Sequence, residues 1–126
     1  MIHSIRLAAT CLVVTALSAC GRSEPAVSFA SDVKPILDKR CVECHTPGQA
    51  GYEASQLGFA SYEAVMKGTK FGPVVVPGDS LGSNLVILVE GRADPSIAMP
   101  HGDSEPLMQG EIEILKLWID QGAKNN

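Results

Sequence analysis

Large rings are scarce in this chain: one Trp, two Tyr and three Phe among 126 residues. A globule of this size with so few of them buries only a thin core of its own. A bound cofactor would supply the missing apolar bulk. A basic excess is missing too, since ten Lys and Arg stand against fourteen Asp and Glu, a net charge of −4. Without a basic stripe to neutralise phosphates, no nucleic-acid partner is expected. After position 20 no apolar run reaches the roughly 18 residues that cross a bilayer. The length holds one small domain and excludes a multidomain enzyme. Cysteine is sparse as well, four in all, and the placement of those four carries most of the information.

Residues 1–20 are MIHSIRLAATCLVVTALSAC. Arg6 and the amino terminus are positive. Leu7–Leu17 has the length of a signal-peptide apolar core and is too short to span a bilayer well. The stretch closes on Leu17-Ser18-Ala19-Cys20-Gly21, which resembles a bacterial lipoprotein signal. That predicts a signal peptide over 1–19 and a lipidated Cys20 as the new amino terminus. The alternative is an ordinary cleaved signal with an incidental cysteine. Cys11 has no role in either case. From Cys20 onward nine basic and fourteen acidic residues remain, a net charge of −5. The polar, proline-containing GRSEPAVS that follows is expected to be a tether, with the domain itself over 29–124. Eight residues reach at most about 26 Å. Gly21 is not Asp, which by resemblance to Gram-negative lipoproteins favours the outer membrane and its periplasmic face.

Two cysteines then remain, in Cys41-Val42-Glu43-Cys44-His45. Two exported cysteines at this spacing could be a redox dithiol, half of a metal site or a c-type haem attachment. The histidine that follows favours haem: from the chain's own composition the pattern is expected by chance about 0.003 times. Cysteines three apart on a helical turn lie near one face, where two thioether bonds can reach the two vinyl groups of a porphyrin. The next residue then projects an imidazole toward the iron. A zinc site would need two more ligands, and His101 is the one other histidine past the leader. A thioredoxin-like dithiol would need a strand–helix context that this region lacks.

Periodicity predicts a first helix over Asp32–Cys41, with Val33, Ile36, Leu37 and Cys41 as its apolar stripe, Ser31 or Asp32 as cap and Pro35 in the first turn. Thr46–Ser55 reads as a loop. Ser61–Lys67 reads as a short helix capped by Ser61 and stopped by Gly68. Gly72–Gly78 holds three valines between prolines and reads as irregular wall rather than strand. A helix is expected from Asp79 or Ser80 to about Glu90, then a loop from Ala93 to Pro106. A last helix starts near Glu111 and stops at Gly122, with Ile112, Leu115 and Ile119 as its stripe.

An iron held by His45 from below has an upper face to fill. The candidates are Met66, Met99, Met108 and His101. Met66 lies inside a short helix and Met108 abuts the last one, so both read as packing. Met99 precedes Pro100 on a loop 54 residues past His45, far enough for the chain to wrap over a cofactor. It is the expected sixth ligand, with His101 the runner-up.

These features together resemble a small class I-like cytochrome c domain of the planctomycete type. The stretches that carry the resemblance are Phe29–Leu37, CVECH, Leu57-Gly58-Phe59, GPVVVPGDSLGSNL, Met99-Pro100 and LKLWIDQGA, within residues 29–123. The resemblance implies an all-α, cytochrome c-like fold of three or four short helices and long loops around one covalent haem c. It implies Cys41 and Cys44 as thioether anchors and His45 and Met99 as axial ligands. It also implies crossing first and last helices with Trp118 near the crossing. Two departures stand out. Ser55-Gln56 occupies the place of a frequent Gly-Gly pair, and Met108 replaces a hydroxyl cap ahead of Gly110.

Iron closed on both faces by His and Met has no position for oxygen, peroxide or substrate, and Met favours the ferrous state. The expectation is therefore a tethered periplasmic electron carrier, not an enzyme. Its partner would be a redox protein with a basic docking patch, attracted by the −5 charge. The alternatives are a haem sensor or peroxidase-like enzyme with a labile sixth ligand, and a dedicated electron-transfer subunit of a larger complex. Tyr52, Tyr62, Lys70, Arg92 and Trp118 are the candidate partners of the haem propionates.

Overall fold

The computed structural model describes residues 24–126, so the expected signal peptide and Cys20 lie outside the described residues. Five short α-helices make up the frame: α1 Lys34–Arg40, α2 Ala50–Ser55, α3 Tyr62–Lys67, α4 Asn84–Val89 and α5 Gln109–Asp120. A π-helical turn, Phe29–Val33, runs into α1, and a 3-10 turn, Pro95–Ile97, interrupts the loop before α5. There is no strand among the described residues, and no helix there is long and apolar enough to cross a membrane.

The first helical run begins earlier than periodicity predicts, because Ser28 caps it. Ser28 Oγ accepts the Ser31 N–H (3.3 Å), and Asp32 Oδ2 accepts the Ser28 N–H in return (2.8 Å). The early start adds Phe29 to the buried stripe of Val33, Ile36 and Leu37. Pro35, with no N–H to donate, sits where the π turn hands over to α1.

α5 buries Ile112, Leu115, Trp118 and Ile119. It begins at Gln109, two residues before the expected start, although Met108 offers no hydroxyl. Glu111 reaches back instead, and its Oε2 accepts the Met108 N–H at 2.8 Å. Met108 itself is 58% exposed and does not pack as expected. Trp118 lies at the meeting of the two helical runs, 5.5 Å from the Phe29 ring and 6.4 Å from the Tyr62 ring, centre to centre. Its indole N–H donates to Lys124 O (2.9 Å), and the Tyr62 hydroxyl donates to Ala123 O (2.9 Å). These two candidates for the propionates are thus committed to the core.

Two element assignments need correction. Thr46–Ser55 is not all loop, since its second half is α2. The residues of α2 that face inward are small, so it carries no apolar stripe to reveal it. The helix expected from Asp79 begins only at Asn84. Asp79 and Ser80 serve other bonds: Asp79 Oδ1 accepts the Gly82 N–H (2.8 Å), while Ser80 donates its N–H and hydroxyl to the Asp120 carboxylate (2.8 and 2.9 Å). Leu81, counted in that stripe, is 65% exposed. The Ser61 cap and the Gly68 stop of α3 are as predicted.

Candidate functional site

An apolar cleft of about 510 Å³ opens between α1, α2, α4 and the loop before α5. That volume is ample for a sizeable organic ligand. Cys41, Cys44, His45 and Met99 all line it, and so does His101. Met66 does not; it is half-buried against the core, and Met108 points elsewhere. Both cysteines are free thiols.

The floor is built by the end of α1. The chain continues past Arg40 in helical turns, with the Cys41 N–H donating to Leu37 O (2.9 Å) and the His45 N–H to Cys41 O (3.0 Å). Cys41, Cys44 and His45 therefore share one face. Burial pushes the Cys41 thiol up to about 12, with Glu111 adding and Arg40 opposing. Among the described residues, no three His, Cys, Asp or Glu side chains group closely enough to hold a metal ion.

His45 is buried and held from three sides. Its Nδ1–H donates to Leu57 O (3.3 Å), and the Phe59 ring stands edge-on at 5.3 Å. Gly51 presses on the third side. A Cβ there would come within 2.8 Å of Cys44 O and 3.1 and 3.2 Å of His45 Cε1 and Nε2. Burial lowers the imidazole's proton affinity, and the Leu57 carbonyl offsets part of that. The ring is neutral at neutral pH, with Nδ1 protonated and Nε2 carrying the lone pair.

Leu57 O is aimed by the end of α2. Ser55 Oγ donates to Gly51 O (2.7 Å) and accepts the Leu57 N–H (3.1 Å), and Gln56 turns the chain with φ 61°. The serine and glutamine that replace a Gly-Gly pair thus perform the turn through a side-chain hydroxyl and a left-handed glutamine.

The opposite wall is α4, with Leu85, Leu88 and Val89, joined by Val74 from the valine segment. That segment is irregular, as expected, and the Leu85 N–H pins it by donating to Val74 O (2.9 Å). The roof is the loop carrying Met99, whose N–H donates to Leu88 O (3.2 Å) and whose bond to Pro100 is cis. His101 is exposed at the mouth, its Nδ1–H donating to Ala98 O (3.1 Å).

Arg40 is a site residue that pattern reading missed. It lines the cleft beside Cys41, and its Nε and Nη2 donate to the Glu111 carboxylate at 3.1–3.2 Å, with both side chains about one-tenth exposed. Burial opposes ionisation of Glu111, but the Met108 N–H and Arg40 outweigh it and hold the carboxyl below the usual range. One carboxylate therefore joins the cysteine turn to the start of α5. The signal was an acid in the first turn of the last helix, which reads as a dipole effect until the fold brings Arg40 to it. Arg92 is paired with Glu90, and neither Tyr52 nor Lys70 lines the cleft, although Thr69 next to Lys70 does.

Comparison with known families gives one match: the family model described as Planctomycete cytochrome C covers residues 41–103, half of the chain. No curated protein and no solved structure matches. The family's cofactor is covalent haem c, and its role is electron transfer through that haem. The residues present fit the group. Two free thiols, a neutral imidazole with its lone pair available, and an apolar cavity closed by a methionine loop are the donor set it needs.

Proposed function

Because the chain belongs to the planctomycete cytochrome c family, we propose that it is a membrane-tethered one-electron carrier in which His45 and Met99 would hold the haem iron. Covalent haem c supplies an iron that takes up and returns a single electron. Cys41 and Cys44 hold it through thioether bonds. The carrying observation is that both cysteines, His45 and Met99 line one apolar cleft.

Each residue has a defined task. The Leu57 carbonyl fixes the imidazole so that Nε2, not Nδ1, is the donor nitrogen, and Phe59 and Gly51 stop the ring from turning. The bond from the Met99 N–H to Leu88 O holds the thioether loop over the cleft. Leu85, Leu88 and Val74 exclude water, which favours the less charged ferrous state, as does the sulfur ligand. With His45 and Met99 both bound to it, the iron would have no position left for a substrate. Exposed Cys44 marks the edge where an electron enters and leaves.

Cys20 carries the lipid in this reading, and the domain works on the periplasmic side of a bacterial membrane, the outer membrane in a Gram-negative cell. Its acidic charge suits a redox protein with a basic docking patch, through encounter rate more than affinity. Met99→Ala tests the ligation. The variant should lose the weak long-wavelength band of sulfur–iron coordination and bind carbon monoxide when reduced. A variant that keeps the band, or a wild type that binds carbon monoxide readily, contradicts the assignment and favours a sensor or enzyme.

A further inference from the structure

The end of the expected tether is fastened to the domain. The Val27 N–H donates to Gln121 Oε1 (2.8 Å), and Gln121 Nε2 donates back to Pro25 O (3.0 Å). The Phe29 N–H donates to Asn126 Oδ1 (2.9 Å), and Ser28 Oγ donates to Asn126 O (2.8 Å). Val27 also packs on the core. This staple lies where the first helical run begins and α5 has ended. The haem cleft lies at the other ends of both, where Arg40 pairs with Glu111. The helical residues between them, Phe29–Arg40, rise by about 18 Å at 1.5 Å per residue.

We propose that the staple is a membrane standoff, which keeps the cleft off the bilayer so that its electron partner is a redox protein met from the aqueous side and not a quinol dissolved in the membrane. The inference rests on the lipid anchor at Cys20. From Cys20 to Pro25 the chain spans at most about 18 Å. Turning the cleft onto the bilayer would lift the staple by about that distance, at the limit of the chain's reach and with its conformational freedom lost. Were the staple undone, the reach from Cys20 to Phe29 would be about 32 Å, and the cleft could meet the surface freely.

The test uses the full-length, lipidated holoprotein on phospholipid vesicles containing a long-chain quinol. The quinol would be oxidised to the quinone, giving one electron to each of two ferric haems and two protons to water. Ascorbate in the aqueous phase serves as the comparison reductant. The wild type should be reduced promptly by ascorbate and slowly by the quinol. A flexible Gly-Ser linker between Glu24 and Pro25 leaves the staple intact and should raise the quinol rate several-fold with the ascorbate rate unchanged. Gln121→Ala should do the same, with faster hydrogen exchange at the Val27 amide. A vesicle-bound wild type reduced by the quinol as fast as the linker variant overturns the standoff alone. A wild type that does not sediment with the vesicles overturns the anchor, and the standoff with it.

Discussion

Gly51 and Gly110 make a controlled pair. Each is the second residue of its helix, Gly51 in α2 and Gly110 in α5. Replacing either with Ala removes the same conformational freedom from the unfolded chain and gains about 0.5–1 kcal/mol. Their surroundings differ. Nothing lies within 4 Å of a Cβ at Gly110, whereas one at Gly51 meets Cys44 O at 2.8 Å and the His45 ring at 3.1 Å. Cys44 O belongs to the backbone and already accepts the Tyr52 N–H (3.1 Å), so it cannot simply step aside. Overpacking of this kind costs about 1–3 kcal/mol. Gly110→Ala should therefore stabilise the protein by up to about 1 kcal/mol. Gly51→Ala should instead destabilise it, by up to about 2.5 kcal/mol net, the difference between those two terms. Each kcal/mol moves the melting temperature by about 4–8 °C in a domain of this size. The assay is thermal unfolding of both holoproteins by circular dichroism, with the visible spectrum recorded alongside. Only Gly51→Ala should perturb the haem spectrum, because only it pushes on His45. Equal shifts of the same sign in the two variants would refute the close approach of α2 to His45.

Two further outcomes follow from the core and from the ion pair. Trp118→Ala empties the crossing of the two helical runs and should destabilise by about 3–5 kcal/mol, seen as a lower denaturant midpoint by circular dichroism; an unchanged midpoint would show that the ring is not core. Glu111 has a folded-state pKa below the ordinary one, so its contribution is complete above the ordinary glutamate range and is lost as pH falls through the lowered value. The melting-temperature gap between wild type and Glu111→Gln should thus be constant near neutrality and close in that acid window. A gap that stays open below it would mean the carboxylate is not what stabilises.

Where the sequence was legible, one residue type had one strong reason to be where it is. CVECH was readable because the covalent chemistry fixes both spacing and residue types. The stripes of α1 and α5 were readable because each buries large aliphatic groups at helical spacing. The α3 boundaries were plain from Ser61 and Gly68. Legibility failed where a local signal had a distant use. Asp79 and Ser80 look like helix caps, but they serve a turn and the Asp120 carboxylate, so α4 starts later. α2 was invisible because the residues it turns to the cleft are Ala50, Gly51 and Ala54, whose smallness lets it approach His45. Arg40–Glu111 joins residues 71 apart, a pairing that only the fold creates. The bonds from Gln121 and Asn126 to residues 25–29 likewise join the two ends of the domain, a pairing no local pattern announces.

Haem joined covalently to Cys41 and Cys44 is the central claim. The direct measurement is the visible spectrum of the protein, made in a host able to mature such cytochromes, before and after acid-acetone extraction. The colour should stay with the wild-type polypeptide and be absent from the Cys41→Ala, Cys44→Ala double variant. A colourless wild type, or haem that passes entirely into the acetone, would contradict the account.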